Sequence, residues 1–211
     1  MKSVFIVSSN GQYDAMFKGQ GWDVVNDIDK ADLVQFTGGA DVSPHLYGEA
    51  VHPSTGADGN RDDNEKSMFL ICQDLGIPMA GICRGGQFLN VMSGGSMWQH
   101  VNNHAIWGTH EVFDLWTNEL YQATSTHHQM MRASHDAVVV AVGQDISTFR
   151  TEMVGEVPTQ HDVSGIDDQE VLWYPKTRCL CFQPHPEYDE GEECRVHYFN
   201  YINEYIFEGD V

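Results

Sequence analysis

The sequence is poor in basic residues and contains no long apolar run. Only 11 Lys and Arg stand against 31 Asp and Glu, which gives a formal net charge of −20. Such a surface repels nucleic-acid phosphates and anionic lipid heads, so neither nucleic acid nor a membrane is an expected partner. No apolar stretch approaches the roughly 20 residues that span a bilayer. The apolar run at residues 4–7 turns polar too soon for a signal peptide.

Cysteines are few, odd in number and irregularly spaced. The chain has five of them, and their spacing does not resemble a disulfide framework. This usage indicates a reducing compartment, and with the missing membrane signals it predicts a cytoplasmic protein. A length of 211 residues with 41% hydrophobic residues suffices for one sizeable core. Because no linker, repeat or low-complexity tract interrupts it, we expect a single domain over residues 1–211.

Short apolar runs alternate with glycine turns and helical patterns in the first half of the chain. This rhythm predicts an α/β protein with a doubly wound, mostly parallel sheet and helices on both faces. Near the C-terminus, apolar runs at 171–174 and 179–183 flank a Pro-Lys turn and predict an antiparallel hairpin. The other expected strands are 4–7, 22–25, 31–36, 77–80 and 137–142. The expected helices are 10–21, 65–75, 84–92 and 192–207, and the second of them is expected to be capped by Asp62, Asp63 or Asn64.

Two stretches carry no clear periodicity. Residues 96–135 are rich in His, Asn, Thr and Trp and are expected to be short and irregular, and 143–169 to form a loop region. His100, His104 and His110 lie in the first stretch without a nearby pair of carboxylates. Metal sites built on histidine need such additional ligands. We therefore expect polar contacts there and no metal site.

The segment Gly81-Ile82-Cys83-Arg84-Gly85 has the spacing of a nucleophile elbow, with cysteine in the place of serine. Glycines two residues either side of the nucleophile allow a sharp turn from strand to helix. The sulfur then lies at the positive end of the helix, which favours the nucleophilic thiolate. Alternatively, Cys83 is a small core residue, as many free cysteines are. The elbow alone does not decide between the two.

A second candidate segment is Gln183-Pro184-His185-Pro186-Glu187, at the end of the predicted hairpin. Residues i and i+2 of an extended chain point the same way, and a residue that precedes proline favours extended geometry. Glu187 can therefore hold one nitrogen of His185 while the other faces a nucleophile. By itself this segment is equally compatible with a solvated surface loop.

Cys83 and the His185–Glu187 pair complement each other, since a cysteine nucleophile needs a base and the base needs an orienting acid. The order along the chain is informative. In α/β-hydrolases the acid precedes the histidine, whereas here it follows two residues later. That order argues against a lipase-like enzyme.

These motifs resemble the class I glutamine amidotransferases, and in particular the gamma-glutamyl hydrolase branch, peptidase family C26. The similarity is ordered and spans residues 37–187, and the combination Gly-Ile-Cys-Arg-Gly-x-Gln with His-Pro-Glu is specific. The matching segments are Thr37-Gly38-Gly39-Ala40-Asp41-Val42, Tyr47-Gly48-Glu49, Arg61-Asp62 with Glu65, Gly76-Ile77-Pro78, residues 81–99, His127-His128-Gln129 and residues 183–187.

The resemblance implies a flavodoxin-like sheet and a set of functional residues. It implies a catalytic triad of Cys83, His185 and Glu187, and an oxyanion hole formed by the backbone N–H groups of Gly39 and Arg84. It further implies that the substrate is contacted by Gln87, His127, His128 and Gln129. The family usually carries bulkier residues at the positions of Pro184 and Gly86, so the pocket wall is expected to differ.

The implied activity is cysteine-dependent hydrolysis of a γ-glutamyl amide, without a metal or organic cofactor. In one form the substrate is glutamine, and the ammonia passes to a separate synthetase subunit. In the other, a free-standing hydrolase cleaves γ-glutamyl amines or peptides. A third possibility is a binding protein that retains the fold without catalysis, against which the intact Cys, His and Glu argue.

Overall fold

The computed structural model describes residues 1–9 and 11–209. The α-helices of this part of the chain are α1 Gln12–Gly19, α2 Gly59–Leu75, α3 Arg84–Met92 and α4 Glu192–Tyr201, and a π-helical segment, Ile202–Glu208, continues α4. The strands are β1 Ser3–Val7, β2 Asp23–Val25, β3 Leu33–Phe36, β4 Met79–Ile82, β5 Ser96–Trp98, β6 His100–Val101, β7 Ala105–Asp114, β8 Leu120–Thr126, β9 Met130–Arg132, β10 Val138–Gly143, β11 Phe149–Val154, β12 Val157–Asp162, β13 Asp168–Tyr174 and β14 Cys179–Phe182.

A mixed sheet of nine strands forms the centre of the molecule, in the order β2-β1-β3-β4-β14-β13-β10-β7-β8. Neighbouring strands from β2 to β14 run parallel. From β14 to β8 every pair is antiparallel. The predicted α/β class and the β13–β14 hairpin are confirmed, but the antiparallel half is larger than that one hairpin.

Helices cover both faces of the sheet, as predicted. Apolar side chains of α1 and α4 pack on one face, and those of α2 and α3 pack on the other. Strands β3, β4 and β14 are buried along their whole length. A strand covered on both faces needs apolar residues at successive positions, which explains why these strands read as continuous apolar runs.

Helix α2 begins earlier than the sequence predicts. Its N-cap is Asp58, whose side chain accepts hydrogen bonds from the backbone N–H groups of Asn60 and Arg61. The prediction of caps at 62–64 was wrong because Asp62 is buried inside the helix, where Arg84 pairs with it. The helix ends as predicted at Gly76, which adopts a left-handed conformation with φ 70°.

The two stretches predicted to be irregular contain strands instead. Residues 96–135 hold β5 to β9, of which β7 and β8 extend the central sheet, and 143–169 holds the hairpin β11–β12. Much of β7 and β12 is exposed, so these strands bury few side chains and show no clear apolar alternation. The sequence pattern therefore did not predict these strands.

Within residues 1–9 and 11–209, no helix combines the length and the apolar character that crossing a membrane requires.

Candidate active site

Three parallel strands end side by side at one edge of the sheet. Phe36 of β3 lies opposite Gly81 of β4, and Phe182 of β14 lies opposite Ile82. The glycine turn, the cysteine elbow and the His-Pro-Glu segment follow directly after these strands. Because ligands of α/β sheets bind beyond the carboxyl ends of the strands, this edge is the expected site.

Cys83 forms the turn between β4 and α3. Its backbone has φ 49° and ψ −114°, a strained conformation for a residue with a side chain and one typical of a nucleophile elbow. Glycine is needed on both sides: a Cβ on Gly81 would overlap the backbone of Gly85, and one on Gly85 would overlap the carbonyl of Phe36. The predicted elbow is present, and it holds the sulfur at the N-terminus of α3.

His185 and Glu187 follow β14 and contact each other as predicted, but through a turn at residues 186 and 187 and not through the extended geometry that was expected. The distance from His185 Nδ1 to Glu187 Oε1 is 2.6 Å. The backbone N–H of His185 donates to Thr124 Oγ1 at 2.6 Å, which holds the segment on the sheet. Tyr13 donates its hydroxyl proton to the same carboxylate oxygen at 2.8 Å. Both side chains of the pair are largely buried, so water competes little with these contacts.

The charges around His185 favour its protonated form. Burial opposes the imidazolium, but the neighbouring Cys83 sulfur and the Glu187 carboxylate outweigh burial and raise the pKa of His185 to about 10. Burial and Glu187 also raise the pKa of Tyr13, so its hydroxyl remains a donor. At neutral pH, these charges therefore favour an imidazolium ring beside the sulfur of Cys83.

Arg61 holds the glycine turn after β3 in place. Its Nη1 donates to the carbonyl oxygen of Gly38 at 2.9 Å, and its Nη2 donates to that of Thr37 at 2.7 Å. The backbone N–H of Gly38 donates to the Tyr13 hydroxyl at 2.8 Å. Gly39 has φ +142°, and a Cβ on it would overlap the Arg61 guanidinium. The turn thus requires glycine at the position predicted to supply an oxyanion donor.

The side chain of Arg84 points away from the pocket into the protein. It is fully buried and pairs with the carboxylates of Asp62 and Glu65 on α2. Burial and the charge of Arg61 lower its pKa to about 10, so it remains charged at neutral pH. Glu65 also forms an ion pair with Arg61, at 2.8 Å. Of Arg84, only the backbone N–H can serve the active site.

A cavity of about 240 Å³ opens in front of Cys83. Six of the site residues predicted from the sequence line this cavity. His185 and Glu187 lie beside Cys83. The lining residues are Gly39, Ala40, Asp41, Gly56, Cys83, Gln87, Thr126, His127, His128 and Gln129.

Two glutamines form a polar wall of this cavity. Gln87 Nε2 donates to Gln183 Oε1 at 3.1 Å and to the carbonyl oxygen of Gln129 at 3.2 Å. Gln129 Nε2 donates to Thr55 Oγ1 at 3.1 Å. The side-chain oxygen Oε1 of Gln129 is buried and accepts no hydrogen bond from residues 1–9 and 11–209. It is therefore available to a donor group of a ligand.

The pKa values of the two adjacent histidines are shifted in opposite directions. His127 is buried, which lowers its pKa to about 3, and its Nδ1 donates to the carbonyl oxygen of Gln129 at 2.8 Å. His128 is partly exposed, and its Nε2 lies 3.2 Å from Asp41 Oδ2. A hydrogen bond to Asp41 raises the pKa of His128. The pocket thus contains one neutral imidazole and one carboxylate–histidine pair.

Three residues of the site had no role in the sequence prediction. Tyr13 supports Glu187, Arg61 supports the glycine turn, and Asp41 pairs with His128. The Tyr13–Glu187 contact joins positions 174 residues apart, so no local pattern indicates it. Asp41 could have been found, since it follows a glycine turn at the end of a strand.

The chain matches the family model described as Peptidase C26 over residues 16–187. It belongs to the peptidase C26 family. Within this family it is 30% identical to a putative glutamine amidotransferase-like protein, YvdE, of Lactococcus lactis subsp. lactis, over 78% of this chain and 69% of that protein. It is 29% identical to the putative glutamine amidotransferase Rv2859c of Mycobacterium tuberculosis, over 76% of this chain and 52% of that protein.

Solved structures share the fold of this C26 protein. A glutamine amidotransferase from Thermotoga maritima has a TM-score of 0.60 at 14% identity, over 97% of this chain and 84% of that one. A glutamine amido transferase from Methylobacillus flagellatus has a TM-score of 0.54 at 14% identity, over 96% and 75%. These likenesses establish the class I glutamine amidotransferase-like fold and concern the fold alone.

Proposed function

We propose that this chain hydrolyses the γ-amide bond of a γ-glutamyl compound through a thioester on Cys83. The observation that carries this proposal is the sulfur at a strained elbow beside a His185 ring that Glu187 holds at 2.6 Å. A nucleophile, its base and an orienting acid in this order form the minimum set for cysteine-dependent acyl transfer. Membership of the C26 family supports the same chemistry.

In the first half of the reaction, the Cys83 thiolate attacks the γ-carbonyl carbon. The carbonyl oxygen gains negative charge and is stabilised by the backbone N–H groups of Gly39 and Arg84. His185, protonated because its pKa lies near 10, gives its proton to the leaving nitrogen. The C–N bond breaks, ammonia or an amine departs, and the glutamyl group remains as a thioester.

In the second half, water attacks the thioester. The neutral imidazole of His185 removes a proton from the water, and the same two N–H groups stabilise the second oxyanion. Collapse of this intermediate breaks the C–S bond, releases glutamate and restores the thiolate beside the imidazolium. Glu187 and Tyr13 hold the ring in one orientation during both halves.

The pocket offers complementary groups for the α-amino and α-carboxylate ends of a glutamyl substrate. The Asp41 carboxylate can accept hydrogen bonds from the substrate's ammonium group, and the protonated form of His128 can face the substrate's α-carboxylate. The unpaired oxygen of Gln129 and the amide of Gln87 suit the polar substrate amide. A neutral His127 closes the wall beside them.

Two forms of this activity differ only in the leaving group. The names of the relatives from Lactococcus and Mycobacterium favour glutamine as substrate, with ammonia passing to a separate synthetase subunit. The name of the family favours a free-standing hydrolase that releases a larger amine or a peptide. The chemistry at Cys83 is the same in both.

A substrate panel tests the proposal. The purified chain is incubated with glutamine, γ-glutamyl-aminobutyrate and γ-glutamyl-putrescine, with α-linked isoglutamine as the matched control, and glutamate release is measured. We expect release from at least one γ-linked compound and none from isoglutamine, because the thiolate addresses the γ-carbonyl. Adding hydroxylamine should trap the thioester as γ-glutamyl hydroxamate.

Each outcome of the panel supports one form of the function. Preference for glutamine, increased by an added synthetase, would support the amidotransferase form, and preference for a larger amine would support the hydrolase. Release from none of the compounds, together with no labelling of Cys83 by a glutamine-like electrophile, would leave a binding protein that retains the fold.

Replacing Gly39 by alanine is expected to lower kcat by about 10²–10³-fold, the usual effect of losing an oxyanion donor. Alanine is strained at the φ of +142° that Gly39 adopts, and the new Cβ would overlap the Arg61 guanidinium that holds the turn. Relief of either moves the N–H of residue 39 out of position. Steady-state kinetics on the best substrate of the panel measure this effect.

Gly76→Ala is the matched control. Gly76 also has a positive φ, but no atom outside its immediate neighbours lies within 4 Å of an added Cβ, and it ends α2 away from the pocket. We expect a loss of stability of about 1 kcal/mol and unchanged kinetics. Equal kinetic effects of the two substitutions would show that the turn at Gly39 has no special role.

A further inference from the structure

A second cluster of buried polar side chains lies on the antiparallel half of the sheet. His104 precedes β7, His110 belongs to β7, and Glu170 belongs to β13. His104 and Glu170 are fully buried, and the side chain of His110 is 8% exposed. The sequence predicts no metal here because no carboxylate pair lies nearby in the chain. The fold supplies a carboxylate from a strand about sixty residues away.

The three side chains present their ligand atoms to a common point. His110 Nε2 lies 3.2 Å from Glu170 Oε1, and His104 Nδ1 lies 3.5 Å from the same oxygen. All three residues offer ligand atoms that lie within 4.8 Å of one another. Ligands of a tetrahedral zinc ion, bound at about 2.0–2.1 Å, are separated by about 3.3 Å. The observed separations to Glu170 agree with that value.

Gly143 borders this cluster. Strand β10 lies between β7 and β13 in the sheet, and Gly143 is its last residue. A Cβ there would be at ordinary contact distance, 3.5 Å, from both Glu170 Oε1 and His110 Nε2, and its tight contact would be Ile146 Cδ1 at 2.7 Å. His110 of β7 and Glu170 of β13 thus meet beside the end of β10.

Asp168 prepares His104 to act as a ligand. His104 Nε2 donates to Asp168 Oδ2 at 3.1 Å, which leaves Nδ1 unprotonated and directed towards Glu170. The carboxylate is itself fixed by the backbone N–H of Ser147 and by Arg150. A carboxylate behind a histidine is the usual support of a metal-binding imidazole.

The remaining polar atoms of the cluster lack hydrogen bonds. Both carboxylate oxygens of Glu170 and both ring nitrogens of His110 are buried without an aligned partner among the described residues. His110 Nε2 and Glu170 Oε1 lie 3.2 Å apart and can pair with each other, which leaves His110 Nδ1 and Glu170 Oε2 without such a neighbour. Burying polar atoms unpaired is costly, so their presence in one cluster indicates a ligand. His127 stands close by, with its ring centroid 4.6 Å from that of His104 and an Nε2 that has no hydrogen-bond partner in the same part of the chain.

We infer that His104 Nδ1, His110 Nε2 and Glu170 bind a divalent transition-metal ion, with zinc as the best fit. Two imidazoles and one carboxylate suit zinc, and water supplies the fourth ligand. A cavity of about 250 Å³ lined by His110, Glu111, Leu120, Gln144 and Ile146 borders one of the three ligands, His110. The ion would tie β7 to β13 and support His127, which forms part of the active-site wall.

The metal-free alternative is a buried ion pair. Burial lowers the pKa of His110, but the Glu170 carboxylate beside it outweighs burial and raises the pKa above its usual value. A protonated His110 would then neutralise Glu170. In that case Ser125 Oγ, 3.4 Å away, would be the hydrogen-bond partner of His104 Nδ1. Such a pair would bind no metal, so an experiment can separate the two alternatives.

The first measurement is metal binding by the whole, chelator-treated chain. Zn²⁺ is titrated in competition with a chromogenic chelator, and Co²⁺ is added separately as a spectroscopic probe. We expect one tight zinc per chain, and visible cobalt bands of nitrogen and oxygen ligation without a sulfur charge-transfer band. Binding weaker than about 1 µM would overturn the site. So would a sulfur band, or loss of binding in Cys83→Ala, because either would locate the metal at a cysteine.

Variants then assign the ligands. His110→Gln and Glu170→Gln should each weaken zinc binding by about 100-fold or more, since even supporting residues cost about 10–100-fold. His135→Gln is the matched control, because His135 is 90% exposed, and it should bind zinc as wild type does. Tight binding that persists in both ligand variants would refute the assignment. If a variant fails to fold, zinc-edge X-ray absorption of the wild type decides, with only N/O neighbours expected near about 2.0 Å.

Discussion

Replacing Cys83 by alanine is expected to lower glutamate release by at least about 10⁴-fold, because the thioester can no longer form. The fold should tolerate the change. Alanine is smaller than cysteine, and the hydrogen bonds that build the elbow run through the backbone, including the Cys83 N–H to Phe182 O bond of 2.7 Å. Stopped assays of glutamate formation, at equal and saturating substrate concentrations, measure the effect.

Cys72→Ala is the matched control. Cys72 is also a free, buried cysteine, but it belongs to α2 and does not line the pocket. It should retain the activity of the wild type and the covalent labelling by a glutamine-like electrophile. The prediction for Cys83→Ala is contradicted if the variant keeps more than about a hundredth of the activity, a loss too small for an essential nucleophile.

Replacing Glu187 by glutamine is expected to lower kcat by about 10³–10⁴-fold. In the wild type the carboxylate oxygen accepts hydrogen bonds from His185 Nδ1 and from the Tyr13 hydroxyl. Both bonds reach the same atom, Oε1, so a glutamine with its NH₂ group at this position offers the ring a donor where the carboxylate offers an acceptor. Nδ1 must then accept, the ring proton moves to Nε2, and the imidazole has the wrong tautomer for a base.

The same variant should change the pH profile in a definite direction. The Cys83 sulfur and Glu187 raise the pKa of His185 to about 10, so the ring is protonated below that pH and loses its proton above it. Without the Glu187 charge, this pKa falls towards its usual value of about 6.5. The alkaline limb of kcat/KM, where the proton donor to the leaving group is lost, should therefore move to lower pH.

Two comparisons make this result specific. Glu193→Gln changes an exposed carboxylate at the start of α4 and should leave both kcat and the profile unchanged. Tyr13→Phe removes the hydrogen bond to Glu187 and the one from the Gly38 N–H but retains the charge of Glu187, so a loss of at least about tenfold is expected with a smaller shift of the alkaline limb. An unshifted limb in Glu187→Gln would show that this carboxylate does not control the charge of His185.

The residues of the candidate site could be predicted where a local motif requires a particular geometry. The elbow needs glycines around Cys83 because a Cβ at either position would overlap the neighbouring backbone, so the motif is visible in the sequence itself. The His185–Glu187 contact is also local, since the partners are two positions apart, but a turn at residues 186 and 187 brings them together and not the extended geometry that the sequence predicted. Buried parallel strands were readable for a similar reason, as continuous apolar runs.

Other predictions failed because the stabilising partner is distant in the chain. Asp62 looked like a helix cap, but Arg84 allows it to be buried inside α2. The exposed strand β7 looked irregular because backbone pairing with β8, rather than apolar alternation, holds its outer part. Single-residue patterns contain no information on such partners.

The order of the residues along the chain was thus enough to indicate the α/β class, the elbow at Cys83 and its base at His185, since each depends on neighbours a few positions away. Tertiary structure decided which groups surround them: Tyr13 behind Glu187, Asp41 beside His128, and Glu170 between His104 and His110. These contacts join separate strands and loops. They arise because folding buries both apolar faces of the mixed sheet and so brings distant polar side chains into the same water-poor space.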